Sequence, residues 1–133
     1  MQRAKGPFEV KLIPQAAEEL IQATALGRML IDKQFHGALE AVSKGQMLAA
    51  GTAVQGSAAY VALEQVEGTL QGRRGTFILQ HSASMNRGTP QLTITVVPDS
   101  GTEQLTGLAG KMDILIEEGK HFYDFEYTFP DSE

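Results

Sequence analysis

The chain has 133 residues, 42% hydrophobic and 20% charged, with a formal net charge of -5 and no cysteine. Such a composition describes a single globular domain over residues 1–133, able to bury roughly two-thirds of its unfolded surface without a disulfide or a structural metal. Without cysteine there is no thiolate nucleophile and no Cys-ligated zinc or iron–sulfur site, and 16 acidic against 11 basic residues leave no electrostatic footprint for nucleic acid.

In chain order, Met1 to Pro7 lacks the apolar core of a signal peptide, and no window approaches the roughly 18 apolar residues that span a bilayer. A cytoplasmic protein without membrane association is expected. Phe8 to Ile13 reads as a first strand. Gln15 to Gln22 follows Pro14 and holds good helix formers, so a short helix of about two turns is expected there. Arg28 to Leu39 is the next strand, with Met29, Ile31 and Phe35 on one face, and a turn at Ser43-Lys44-Gly45 leads into Gly45 to Val54. Tyr60 to Leu70 and Gly75 to Ala83 form a hairpin through Gln71-Gly72-Arg73-Arg74. A loop of that length puts Glu64 opposite His81, and any even loop leaves Tyr60, Ala62, Glu64 and Val66 on the face of Phe77, Leu79 and His81.

Leu92 to Val97 is a strand closed by Pro98, and Asp99 to Gly110 is a long loop poor in strand formers. Lys111 to Glu117 alternates Met112, Ile114 and Ile116, and a turn at Glu118-Gly119 sets these beside the last strand. That strand, His121 to Phe129, puts Tyr123, Phe125, Tyr127 and Phe129 on the core face and Asp124, Glu126 and Thr128 on the other. Eight mainly antiparallel strands can remove their edges by closing, so an all-β closed barrel is expected. Its interior would be either filled by side chains or open to one small ligand.

The runs Gly27–Gly37, Ser57–Leu70 and Gly75–His81, with Pro98–Thr102 and Leu105–Gly110, resemble an uncharacterised bacterial domain family. That resemblance, which covers nearly the whole chain, implies a barrel of the allene oxide cyclase-like type, lipocalin-like in shape. It brings no function, and no catalytic residue of the plant cyclases can be carried onto this chain.

Glu64 and His81 are the pair with the most chemistry, because a carboxylate can orient an imidazole for acid–base work. The plainer reading is a buried polar pair that fixes register, favoured about two to one. The aromatic row is core more often than pocket, by roughly 70 to 30. The three histidines, His36, His81 and His121, have no ligand spacing, so neither a metal nor another cofactor is expected. No Gly-x-Ser-x-Gly occurs, and Gly107–Lys111 lacks the spacing of a phosphate loop. Asn86-Arg87-Gly88 reads as a turn, although Arg87 near a barrel mouth could meet an anion.

Three roles stay open. One is a barrel binding a small, mainly apolar molecule, with Tyr60, Glu64, His81 and Tyr123 as ligand-binding residues. Another is an isomerase, cyclase or lyase with Glu64 and His81 as acid and base. The third is a packed barrel acting as an oligomeric interaction module through Val61, Leu63 and Ile78, with a symmetric dimer expected from general frequency.

Overall fold

The computed structural model describes residues 1–130. Eight antiparallel strands follow one another around a closed barrel: β1 (Gln2–Pro14), β2 (Leu26–Phe35), β3 (Leu39–Gly51), β4 (Ala58–Leu70), β5 (Arg73–Asn86), β6 (Thr89–Val96), β7 (Ala109–Glu117) and β8 (Lys120–Thr128). Closure comes from β1, whose first half, Gln2 to Phe8, pairs with β8 and whose second half, Phe8 to Pro14, pairs with β2. That double duty is why β1 begins six residues before the strand pattern at Phe8 is visible in the sequence: Gly6 and Pro7 are poor strand formers, but the ladder to β8 holds them. No helix long and apolar enough to cross a membrane occurs among the described residues.

Three hairpins turn through two residues that both have positive φ, Gln71-Gly72 (45° and 90°), Arg87-Gly88 (49° and 92°) and Glu118-Gly119 (50° and 80°). This is the geometry whose twist matches the flanking strands, with glycine supplying the second left-handed position at little steric cost. The turn at Glu118-Gly119 pairs Met112 with Phe125, Ile114 with Tyr123 and Ile116 with His121, as the alternation of both segments predicts.

Three expectations are corrected. The segment after Pro14 forms turns, not a helix: Ile21 N–H donates to Glu18 O at 2.8 Å and Thr24 N–H to Ile21 O at 2.9 Å. Leu20 is 89% exposed there, and a helix this short is not stable by propensity alone. The turn expected at Ser43-Lys44-Gly45 lies instead at His36 to Ala38, where Gly37 has φ 97°, and β3 runs unbroken from Leu39. Finally, the β4–β5 loop is two residues long, not four, so Glu64 pairs with Leu79 and His81 with Ala62. Because that shift is even, the predicted faces survive, and Glu64 and His81 are diagonal neighbours inside the barrel.

The interior is filled at one end. Phe35, Leu39, Leu70, Phe77, Leu79, Phe125 and Tyr123 are almost fully buried, with Phe77 and Phe125 stacked at a ring-centroid distance of 5.8 Å. The long loop after β6 closes this end. It carries one 3-10 turn, Glu103–Leu105, buries Leu105 and Leu108, and bonds to β5 through Thr102 and Thr76. At the opposite end, inward positions go to small residues, among them Gly27, Ala49, Gly51, Ala58 and Ala83, and the barrel stays open.

Candidate functional site

The site lies where the packed half gives way to the open half. Inward parity on β2 runs Met29, Ile31, Lys33, Phe35, and on β3 Ala41, Ser43, Gly45, Met47, so Lys33 and Ser43, paired in register, project toward Glu64 on β4. Gly45 pairs with Glu64, and a Cβ there would sit 2.3 Å from Leu63 O and 2.7 Å from Glu64 Cβ. Only glycine lets β3 pass this close to the carboxylate's strand.

Glu64 is 1% exposed, Lys33 5% and His81 4%. Lys33 Nζ donates to Glu64 Oε1 at 2.9 Å, His81 Nε2 lies 2.7 Å from the same oxygen, and Ser43 Oγ donates to Oε2 at 2.5 Å. Burial pushes the Glu64 carboxyl upward, but the His81 hydrogen bond, the Lys33 charge and hydrogen bond, and the Ser43 hydroxyl outweigh it and hold the group at about 2. Glu64 is therefore a carboxylate at neutral pH. Since a carboxylate only accepts, His81 must carry its proton on Nε2. The Lys33 ammonium also sits over the rings of Phe8 and Phe35, 5.1 and 5.5 Å from their centroids, which helps a buried cation replace water.

Above this network is a cavity of about 240 Å³. Its walls are apolar, including Phe8, Val10, Leu12, Ile31, Met47 and Ile114, and its polar lining consists of Lys33, His81, His121 and Tyr60. Tyr60, Leu92 and Ile116 also line the wider mouth of about 670 Å³ at the open end. The Tyr60 ring stands 6.4 Å from that of His81; burial, and then the Glu64 charge, push its phenol up, so it stays an O–H donor at neutral pH. One wall is thinly paired, because β6 and β7 are bridged only at Thr95 and Lys111, beside the lining residues Leu92, Ile114 and Ile116.

Of the four residues the sequence nominates, Tyr60, Glu64 and His81 come together here and Tyr123 does not. Tyr123 is 1% exposed in the packed half, where its hydroxyl donates to His36 O at 2.7 Å and accepts from Leu39 N–H at 2.8 Å, pinning the β2–β3 turn to β8. Sequence reasoning missed Lys33, Ser43 and His121. A signal for Lys33 was present, because it falls between Ile31 and Phe35 on a face already assigned to the core. Ser43 was hidden by the misplaced turn. His121 begins the aromatic row of β8 with inward parity, its ring 5.3 Å from that of Phe8. On the outer face, Val61 and Leu63 are 53% and 55% exposed beside Leu48, and Ile78 is half-buried.

The profile of a family described as a protein of unknown function, DUF3224, matches residues 4–127. A crystal structure of a DUF3224 protein with unknown function from Shewanella oneidensis is 51% identical, with 99% of each chain covered and a TM-score of 0.92. No curated protein matches. Sequence profile and barrel agree over almost the full length, and the chain belongs to the DUF3224 family.

Proposed function

We propose that this barrel binds a small, mainly apolar molecule in its open half, with Tyr60, His81 and Lys33 at the polar end of the site and Glu64 holding the last two in place. The observation that carries the reading is the cavity of about 240 Å³, apolar along its walls, resting on a buried ionic network and leading to an open mouth. Binding sites for small molecules have this composition, a mostly apolar lining with a few converging polar groups. A barrel needed only for its own stability has no such requirement, because replacing a buried ion pair by apolar residues is often neutral or stabilising.

Native mass spectrometry of the protein purified gently from its host tests this. A reproducible extra mass, released by solvent and identified, is the expected result. A clean apo mass that stays unchanged after incubation with host lipid extract overturns it.

One observation favours a second reading, acid–base catalysis on the bound molecule: the 2.7 Å contact between Glu64 and His81 on the cavity floor. The roles differ from a simple acid and base pair. Glu64, held at about 2, has no proton to give at neutral pH and orients the imidazole, while His81 is the group that exchanges a proton. If the identified ligand is recovered unaltered, with no solvent deuterium incorporated, after long incubation with the protein, this reading fails.

We also propose a homodimer formed through the outer face of Leu48, Val61 and Leu63. Leu48 and Val61 are register partners on β3 and β4, so the exposed side chains form a contiguous patch.

A further inference from the structure

The protein as a whole is acidic, with 16 acidic against 11 basic residues, yet no carboxylate lines the inner cavity. Its titratable lining is Lys33 from β2, Tyr60 from β4, His81 from β5 and His121 from β8. The nearest carboxylate, Glu64, has both oxygens engaged, Oε1 by Lys33 and His81 and Oε2 by Ser43. The free polar capacity at the floor thus belongs to the Lys33 ammonium, the His121 imidazole and the Tyr60 phenol. The Tyr60 and His121 side chains make no hydrogen bond to another described residue, so their polar atoms are open to a ligand. Lys33, Tyr60 and His121 can each donate to an anion, whereas the Nε2 proton of His81 is already given to Glu64. A cationic ligand head would meet Lys33 with no free carboxylate to offset the repulsion.

We propose that the ligand is an amphiphile with an anionic head, a carboxylate on an apolar chain or ring system, bound head-down against Lys33, His121 and Tyr60. This rests on the binding function proposed above and names the class of molecule bound. The apolar part follows Leu12, Ile114 and Ile116 toward the mouth. Arg87, on the two-residue turn joining β5 and β6, stands at that open end, where Glu118 on the turn joining β7 and β8 carries the opposite charge.

Calorimetric titration of the whole protein at neutral pH with octanoate, 1-octanol and octylamine separates the head from the chain. Octanoate should bind roughly tenfold or more tightly than octanol, as expected for a charge-assisted hydrogen bond, and octylamine should bind weakest. Equal or tighter binding of octanol or octylamine overturns the anionic head while leaving a ligand-binding barrel. If none of the three binds, the binding reading itself fails. Lys33→Met strips Glu64 of its cation and risks unfolding, so the informative variants are His121→Phe, which keeps a ring against Phe8, and Tyr60→Phe. Each should weaken octanoate several-fold and leave octanol unchanged; equal loss for both ligands, or loss for neither, overturns the assignment of these donors to the head.

Discussion

At the scale of single residues, Glu64 joins Lys33, Ser43 and His81 into one buried network. Glu64→Gln leaves the buried Lys33 ammonium without its counter-charge, a change that costs about 3–5 kcal/mol when one partner of a buried pair is lost. Urea unfolding at pH 7 is the measurement. The same group sets an acid limit. Its folded value of about 2 lies below the ordinary 4.5, so its contribution, on the order of 3 kcal/mol, is fully present above pH 4.5 and is lost as pH falls from there toward 2. A stability series across that window should show the loss in the native protein and a flatter profile in Glu64→Gln. Tyr123 belongs to a different class. Tyr123→Phe removes the hydroxyl that serves His36 O and Leu39 N–H and should cost about 1–3 kcal/mol, with octanoate affinity unchanged because that hydroxyl lies in the packed half.

Among the elements, the strands are unequal. β4 pairs along its length with β3 and β5, whereas β6 meets β7 at a single bridge, Thr95 with Lys111. Pro90 contributes to this, since it brings no N–H to β6. Hydrogen exchange should therefore find the β6 and β7 amides directed at that seam exchanging well before those of β4; equal protection would mean that the seam is closed in solution. The contrast between the halves of the barrel also arises at this scale. Phe35, Leu39, Leu70 and Phe77 fill one end, and Gly27, Ala49, Gly51, Ala58 and Ala83 leave the other open, so the cavity follows from side-chain volume along strands of nearly uniform geometry.

For the whole molecule, light scattering coupled to size exclusion should report a dimer, and Val61→Glu with Leu63→Glu should convert it to a folded monomer; a native monomer would remove the proposed role of the outer face. How much of this was legible in the sequence depended on the range of the signal. Strict alternation in Tyr123, Phe125, Tyr127 and Phe129, and glycine turns at Glu118-Gly119, act between near neighbours, and they determined the strands, their faces, the closing hairpin and the eight-stranded barrel. An even connection was enough to place Glu64 and His81 on one face, because side-chain direction repeats every two residues. The helix expected after Pro14 failed because propensity acts without knowledge of whether an apolar face will be covered, and at Leu20 none is. The turn misplaced to Ser43 failed because local polarity at Ser43-Lys44-Gly45 reads alike in a turn and at an inward polar site. Lys33, Ser43 and Glu64 come from three different strands, and only the register of β2, β3 and β4 decides that they meet. The open end and the thin β6–β7 seam are likewise decisions of the tertiary structure: each depends on the volumes and pairings that distant strands present to one another once the barrel has closed.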